Sequence, residues 1–293
     1  MVVSQLLINA LIAGCIYMLV AIGFSLVYST CRFFHVAHGA VFVLGPYLVF
    51  LFTSCLGLPF ALAICLAVLG GTTAGCLMNL CVYRPLRRRA TSPLILLLAS
   101  LGLYVVTQNI ISLAFGDDTK TIHAGPAREA FQILGGRITP TQMLIIPVSL
   151  SLVGGIAALL KLTKIGRGIQ AVSADPQLAD VCGVRTDRII SLTFALGSAL
   201  ASIAGVLVAL DIDIAPTMGL GFLMMAVAAV VVGGVQSFPG IVLGSLLLSA
   251  AQHLVAWKVG SQWQDAIAFI ILLAFLLVRP EGFLGKKLRK AAV

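Results

Sequence analysis

Nine long apolar runs constrain what this chain can fold into. A helix needs about 20 apolar residues to cross the roughly 30 Å hydrocarbon core of a bilayer. Of the 293 residues, 60% are hydrophobic and only 10% are charged. The sequence therefore predicts an all-α, polytopic integral membrane protein, a single transmembrane domain over residues 1–293 with about eight to nine transmembrane helices. The runs cover residues 5–29, 37–56, 60–83, 93–115, 141–161, 189–210, 219–235, 240–257 and 264–279.

Two of these runs, 37–56 and 219–235, are interrupted or crowded by glycine and proline. Irregular backbone is tolerated at membrane depth where it is buried in protein or lines a cavity. Both runs are therefore candidates for kinked or re-entrant helices.

Lysine and arginine collect in three segments between or after the runs, and this distribution predicts the orientation. Cytoplasmic loops hold the excess of these residues, and an even number of runs separates consecutive basic segments. Placing all three segments inside puts the N-terminus outside and the C-terminus in the cytoplasm. The residues are Arg84, Arg87, Arg88 and Arg89; Lys161, Lys164, Arg167, Arg185 and Arg188; and Arg279, Lys286, Lys287, Arg289 and Lys290.

The net charge of +9 is thus a signal of topology in the bilayer. Binding of nucleic acid would call for a basic patch with interleaved aromatic residues. The sequence has no such patch, so no nucleic-acid partner is expected.

The sequence lacks the groups that would let one chain drive transport alone. No Gly-x-x-x-x-Gly-Lys-Ser/Thr string occurs to bind phosphate, so ATP hydrolysis is expected on partner chains. Ion-coupled carriers keep ionisable groups inside their spans, whereas the Asp and Glu residues here lie at the ends of runs or between them. We expect a transport subunit that is not an enzyme and needs no cofactor.

Cysteine and histidine do not form a recognisable site. The seven cysteines are scattered, most of them in apolar runs, which argues against a disulfide framework or a zinc site. His35 and His38 could share one helix face, but no third ligand stands near them in sequence. We therefore expect no metal.

Glycines and other small residues recur four apart in three runs, which is typical of helices that pack closely on other helices. The pairs are Gly71 and Gly75, Gly197 and Ala201 with Gly205 beyond them, and Gly240 and Gly244. These faces are expected to lie against other spans and away from lipid.

The predicted cytoplasmic segment 162–190 carries its own signals for a helix. Asp175 can cap a helix, Pro176 suits the first turn and Gly183 can end it in a left-handed conformation. A short helix is predicted over Pro176–Cys182, with an apolar edge of Leu178, Ala179, Val181 and Cys182. Such an edge suits docking into a groove on a soluble partner. The alternative is a solvated connector on the membrane surface.

Polar side chains inside apolar runs are the candidate residues of a substrate pathway. Thr107, Gln108 and Asn109 follow one another, so they point to different sides of one helix and at least one is expected to face a cavity. The other candidates are Asn9, Tyr17, Ser25, Tyr28 and Asn79. Interhelical hydrogen bonding is the alternative role for each of them.

Several strings occur in the order of a known family and extend along most of the chain. They are Ala21–Tyr28, His35–Ala40, Tyr83–Arg87, Gly166–Pro176, Gly183–Val184, Phe194–Gly205 and Gly233–Gly240. On these strings the chain resembles the LivH-type permeases of branched-chain amino acid ABC importers, a family that also includes permeases for urea and short amides. His35 stands where asparagine is usual in the family, and Gly45-Pro46-Tyr47 replaces Gly-Ala-Tyr.

The resemblance implies a multi-pass permease subunit of a bacterial or archaeal cytoplasmic membrane that imports a small amino-acid-like solute by alternating access. It implies four partner chains: a second homologous permease, two ATP-binding subunits and an extracytoplasmic solute-binding protein. The segment 162–190 would couple the chain to the ATPase subunits. His38 and Gly39 would form a polar kink, in which Gly39 permits a close helix contact and His38 bonds a neighbouring backbone carbonyl.

Two other function classes remain open from the sequence. The chain could be a stand-alone facilitator or channel for a small polar solute such as urea or amides. It could also be an intramembrane serine protease that uses Ser25 with His253, although Leu26 stands where a glycine would follow the nucleophile.

Overall fold

A computed structural model describes residues 2–89, 91–122, 131–133, 136–279 and 281–285. The first half of the chain forms α1 (Val2–Cys31), α2 (His38–Phe50), α3 (Phe60–Met78), α4 (Arg84–Arg88) and α5 (Pro93–Phe115), then strands β1 (Phe131–Ile133) and β2 (Gly136–Ile138). The second half forms α6 (Pro140–Leu162), α7 (Lys164–Ala174), α8 (Pro176–Val181), α9 (Thr186–Asp211), α10 (Met218–Gly233), α11 (Phe238–Lys258) and α12 (Gln264–Val278).

Within the described residues, eight helical segments are long and apolar enough to cross a bilayer, which confirms the predicted all-α membrane fold. The remaining run, 219–235, forms α10, a shorter apolar helix of 16 residues. Two segments include π-helical turns, Leu51–Cys55 after α2 and Asn79–Tyr83 between α3 and α4.

Helices α1 and α9 form the centre of the bundle. In the most apolar stretch of α1, 83% of the residues are buried, and in that of α9, 72% are buried. The corresponding fraction is 22% for both α5 and α6. Close glycine contacts join these central helices, as predicted. A Cβ added to Gly197 would lie 2.8 Å from the Gly23 carbonyl oxygen, and one added to Gly71 would lie 2.6 Å from the Ser202 hydroxyl.

Helix α2 begins in the interior of the bundle. The chain leaves α1 through Arg32, which has a φ of +55°, and turns back so that the His38 ring contacts Gly23, two turns before the end of α1. There the start of α2 meets the start of α10, because a Cβ on Gly39 would lie 2.7 Å from the Gly219 carbonyl oxygen. The close contact predicted for Gly39 is confirmed.

One end of the bundle, which we name the basic end, gathers the basic segments. Arg84 and Arg88 both bind the Asp187 carboxylate, at 2.8 and 3.1 Å. The turn after α12 lies at the same end, since the Phe283 and Leu284 amides donate to the carbonyls of Val232 and Gly233 at the end of α10. This grouping agrees with the even number of runs between basic segments. The cytoplasmic location of this end stays a prediction from charge, and Lys286–Lys290 lie outside the described residues.

At the opposite end, β1 and β2 form an antiparallel hairpin with Phe131 opposite Ile138. The Gln5 side chain of α1 holds this hairpin, because it accepts from the Arg137 amide at 2.7 Å and donates to the Arg137 carbonyl at 3.1 Å. A separate bridge pairs Lys120 with Ile214.

The segment 162–190 departs from its prediction in two ways. It contains a second helix, α7, which was not predicted and whose buried residues include Ile169 and Val172. The short helix α8 ends at Val181 and leaves Cys182 as its C-cap.

Candidate functional site

A cavity of about 420 Å³ lies at the end opposite the basic end, among α1, α6, α9, α10, α11 and α12. We name it the outer cavity. Along α1 it reaches from Asn9 to Tyr17, about 12 Å at 1.5 Å per residue. Ile12, Ile16, Val208 and Phe222 contribute an apolar wall. The polar lining residues are Asn9, Tyr17, Gln142, Asp211, Gln252, His253, Gln264 and Asp265.

Some of these polar groups are already engaged within the chain. The Asn9 side-chain oxygen accepts from Gln5 at 3.0 Å, and Gln142 closes the capping box of α6 with Thr139. His253 places its Nδ1 2.9 Å from the Ser249 carbonyl. The outer cavity thus combines an aliphatic wall with polar groups held in fixed positions, as small-molecule sites do.

Gln252 is the most deeply buried polar residue of the outer cavity, with 2% of its surface exposed. Its Nε2 lies 3.3 Å from the sulfur of Met225, and its Oε1 has no hydrogen-bond partner among the described residues. The Tyr17 ring stands edge-on to Phe222 at a centroid distance of 6.4 Å and lies beside Gln252. An unpaired buried acceptor costs free energy, so Gln252 marks a position where a donor would be stabilised.

The outer cavity brings together only two of the predicted pathway residues, Asn9 and Tyr17. The triplet Thr107, Gln108 and Asn109 does not line it. This triplet lies on the peripheral helix α5, where Thr107 and Gln108 are half-buried and Asn109 is exposed. Asn109 donates its side-chain amide to the Val105 carbonyl of its own helix at 2.7 Å.

The remaining pathway candidates lie toward the basic end. Ser25 donates to the Val235 carbonyl at 2.7 Å and lines a smaller pocket of about 100 Å³. Tyr28 stacks on Phe24 at a centroid distance of 5.9 Å. Asn79 is fully buried, accepts from Arg87 at 2.9 Å and donates to Ser191 at 3.1 Å. Ser25 and Asn79 therefore make hydrogen bonds to other segments, which was the alternative role, whereas Tyr28 makes a ring contact within α1.

The two histidines at the start of α2 are fully buried but have different surroundings. The Nδ1 of His35 lies 3.1 Å from the Tyr83 hydroxyl and 3.4 Å from Ser100. Neither ring nitrogen of His38 meets strict hydrogen-bond geometry with a described residue, but the ring interacts with the Val20 backbone. The bond of His38 to a backbone carbonyl therefore stays a prediction. His38 also fills the space beside Gly23 and Phe24.

The second candidate surface is the helix α8. The Asp175 side chain accepts from the amides of Gln177 and Leu178 at 2.9 and 3.0 Å, Pro176 occupies the first turn, and Gly183 has a φ of +84°. The predicted cap, helix start and helix stop are thus all present.

Burial corrects the predicted apolar edge of α8. Leu178 and Val181 are 61% and 86% exposed, whereas Ala179 is only 4% exposed because it packs inward. Cys182 is exposed at the C-cap. The free apolar surface therefore consists of Leu178, Val181 and Cys182. Arg32 holds the junction between α7 and α8 in place, since it donates to the carbonyl of Ala174, the last residue of α7, at 2.7 Å.

The protease alternative finds no support in this arrangement. Ser25 lines the pocket toward the basic end, whereas His253 lines the outer cavity. The two side chains belong to different sites, and each is bonded to a backbone carbonyl.

Comparison with known proteins places the chain among transport permeases. A family model described as the permease component of the branched-chain amino acid transport system matches residues 6–276. The chain is 32% identical to the high-affinity branched-chain amino acid transport system permease protein BraD of Pseudomonas aeruginosa, covering 96% of this chain and 95% of that protein. It is 30% identical, with the same coverage, to the high-affinity branched-chain amino acid transport system permease protein LivH of Escherichia coli K12.

Among solved structures, PsaBC from Streptococcus pneumoniae, determined in complex with a Fab, aligns with a TM-score of 0.54 at 12% identity. The alignment covers 96% of this chain and 92% of that chain. At this identity the likeness supports the fold alone.

Proposed function

Because this chain belongs to the family of branched-chain amino acid transport permeases, we propose that it is the membrane-spanning permease subunit of an importer for branched-chain amino acids. The relatives named above carry that substrate class in their names. The chain is a multi-pass membrane protein, and it supplies the path across the bilayer while separate subunits hydrolyse ATP.

Alternating access is the mechanism that suits this division of labour. One end of the bundle carries the outer cavity, and the other carries α8 with its capped, exposed surface. Substrate is delivered by an extracytoplasmic solute-binding protein, and two ATP-binding subunits and a second homologous permease complete the assembly. Asn9 and Tyr17 are the predicted pathway residues that line the outer cavity. Ser25 and Asn79 hydrogen-bond other segments, and Tyr28 and the 107–109 triplet lie outside the cavity.

The exposure of Leu178 and Val181 is the observation that most directly supports coupling of α8 to the ATP-binding subunits. A helix of six residues buries little on its own, and apolar side chains that are 61% and 86% exposed are stabilised by docking in a groove of a partner. Asp175, Pro176 and Gly183 fix the helix, while Leu178, Val181 and Cys182 form its contact surface.

Affinity purification tests this coupling role. The tagged chain is purified in mild detergent, and co-purifying chains are identified by mass spectrometry. We expect ATP-binding subunits with the wild type and at least a tenfold loss of them with Leu178→Glu/Val181→Glu. The matched control is Val259→Glu, an exposed valine at the opposite end, which should retain the partners. A well-folded wild type that purifies alone would favour the stand-alone facilitator instead.

A further inference from the structure

The connection between α6 and α7, residues 161–167, combines three cations with two exposed apolar side chains. We name it the junction surface. Lys161 lies in the last turn of α6, and Lys164 and Arg167, three residues apart, share one face of α7. All three cations are exposed. Between them, Leu162 is 80% exposed and Ile165 is 42% exposed.

Close backbone packing holds the junction surface against α6. A Cβ on Gly166 would meet the backbone of Leu159 and Leu160, and the Gln170 side chain donates to the Leu160 carbonyl at 2.8 Å. The Thr163 hydroxyl accepts from the Gly166 amide at 3.0 Å. The start of α7 is therefore fixed beside the end of α6, and the backbone positions of the three cations are fixed with it.

Helix α6 places the junction surface at the boundary of the bilayer. The helix has 23 residues and is about 34 Å long at 1.5 Å per residue. This length slightly exceeds the roughly 30 Å hydrocarbon core, so the last turn of α6 reaches the headgroup region. Only 22% of the most apolar stretch of α6 is buried, and its exposed side chains include Met143, Leu144 and Leu150. The junction surface thus lies at the edge of the bundle, where lipid is the neighbour.

The three cations make no hydrogen bond or ion pair with another described residue. The acids of the basic end do not neutralise them. Asp187 is bound by Arg84 and Arg88, Asp175 uses its carboxylate to cap α8, and Asp180 is exposed on α8. Uncompensated cations next to a membrane surface attract the phosphate groups of anionic lipids.

We propose that the junction surface binds an anionic phospholipid in the leaflet at the basic end. Lys161, Lys164 and Arg167 contact the phosphate group, and Leu162 and Ile165 contact the upper part of the acyl chains, as basic amphipathic segments do at membrane interfaces. This proposal goes beyond the transport function, because it does not depend on the solute that the chain carries. It leaves α8 as the surface for the ATP-binding subunits.

Native mass spectrometry tests the choice of headgroup. The protein is purified with the subunits that accompany it, delipidated in detergent, and titrated with dioleoylphosphatidylglycerol or dioleoylphosphatidylcholine. The two lipids have the same acyl chains, and only the first has a net negative charge. We expect phosphatidylglycerol to bind at least tenfold more tightly, and glycerol 1-phosphate at equal concentration not to displace it. Equal binding of the two lipids would overturn the proposal, and displacement by glycerol 1-phosphate would show a site for soluble anions instead.

Variants assign the binding to the junction surface. Lys164→Gln and Arg167→Gln should each weaken phosphatidylglycerol binding about fivefold, which corresponds to about 1 kcal/mol for each cation near an anionic surface. Lys164→Arg keeps the charge and should bind as the wild type does. The matched control is Lys258→Gln, which removes an exposed cation beside Trp257 at the end of α11 and should leave binding unchanged.

The double variant Lys164→Gln/Arg167→Gln separates lipid from protein as the occupant. It should melt at the wild-type temperature in detergent, since neither side chain has a partner among the described residues, and it should keep its ATP-binding subunits. Unchanged phosphatidylglycerol binding in this variant would refute the assignment. Loss of the ATP-binding subunits with lipid binding retained would assign the surface to those subunits and refute it equally.

Discussion

Replacing Gly39 with alanine tests the contact between the starts of α2 and α10. The added Cβ would lie 2.7 Å from the Gly219 carbonyl oxygen and 3.1 Å from its carbon. Restoring an ordinary separation of 3.4 Å requires the two helices to move apart by about 0.7 Å. Both obstructing atoms are backbone, so no side-chain rotation relieves the contact. Overpacking of this kind costs about 1–3 kcal/mol.

Gly102→Ala on α5 is the matched control for this substitution. Nothing lies within 4 Å of a Cβ at Gly102, so only the helix preference for alanine remains, which stabilises by about 0.5–1 kcal/mol. Thermal unfolding in detergent should therefore place Gly39→Ala below the wild type and Gly102→Ala at or above it. A Gly39→Ala protein that melts as high as Gly102→Ala would refute the close approach of α2 and α10.

Two further predictions concern buried histidines and the ion pairs of the basic end. His35→Phe removes the partner of the buried Tyr83 hydroxyl and should lower the free energy of unfolding by about 1–3 kcal/mol. His38→Leu loses only the weak contact of the ring with the Val20 backbone and should cost less in the same thermal unfolding assay; an equal loss for both variants would contradict this difference. Asp187→Asn weakens the pairs with Arg84 and Arg88, whose side chains are 36% and 63% exposed, so it should cost less than about 1 kcal/mol. That small difference should vanish in 1 M salt, and one that persists would show a structural role beyond charge.

The membrane helices could be predicted from the sequence because lipid requires long apolar segments that satisfy their own backbone. The excess of lysine and arginine in cytoplasmic loops predicted a common end for the basic segments, and the pairing of Arg84 with Asp187 agrees with it. Helix ends were also predictable where a cap is local. Asp175, Pro176 and Gly183 lie within nine residues and fix α8 without help from the rest of the chain.

Helix α7 was missed although its pattern is local. Ile165, Ile169 and Val172 recur at helical spacing, and the latter two are buried, but only the helix over Pro176–Cys182 was predicted in this segment. Gly166 and Gly168, which lie between Ile165 and Ile169, permit close contacts. A Cβ on Gly168 would meet the Ile189 side chain at 2.8 Å, and one on Gly166 would meet the backbone of Leu159 and Leu160. These contacts form only in the folded bundle, so the sequence alone does not show that the two glycines belong to a packed helix.

The position of the 107–109 triplet outside the outer cavity has a related cause. Three successive polar residues must point in different directions on a helix, but whether any of them meets a cavity depends on the neighbours of that helix. Helix α5 lies at the edge of the bundle, with only 22% of its most apolar stretch buried, and the triplet does not line the outer cavity. Asn109 instead satisfies its amide on its own backbone.

Some residues of the outer cavity could be predicted from local sequence, and others could not because only helix packing brings them to the cavity. The rule that selected Asn9, a polar residue in an apolar run, applies equally to Gln252 in the run 240–257, so this residue could have been found. Asp265 could not, because an acid in the first turn of a helix has a sufficient local reason to be there. Its place in the lining of the outer cavity arises only when α12 packs beside α10 and α11. A cavity lined by single residues from six helices leaves no motif in the sequence. In the structure it is marked by the buried Gln252, whose Oε1 has no hydrogen-bond partner among the described residues.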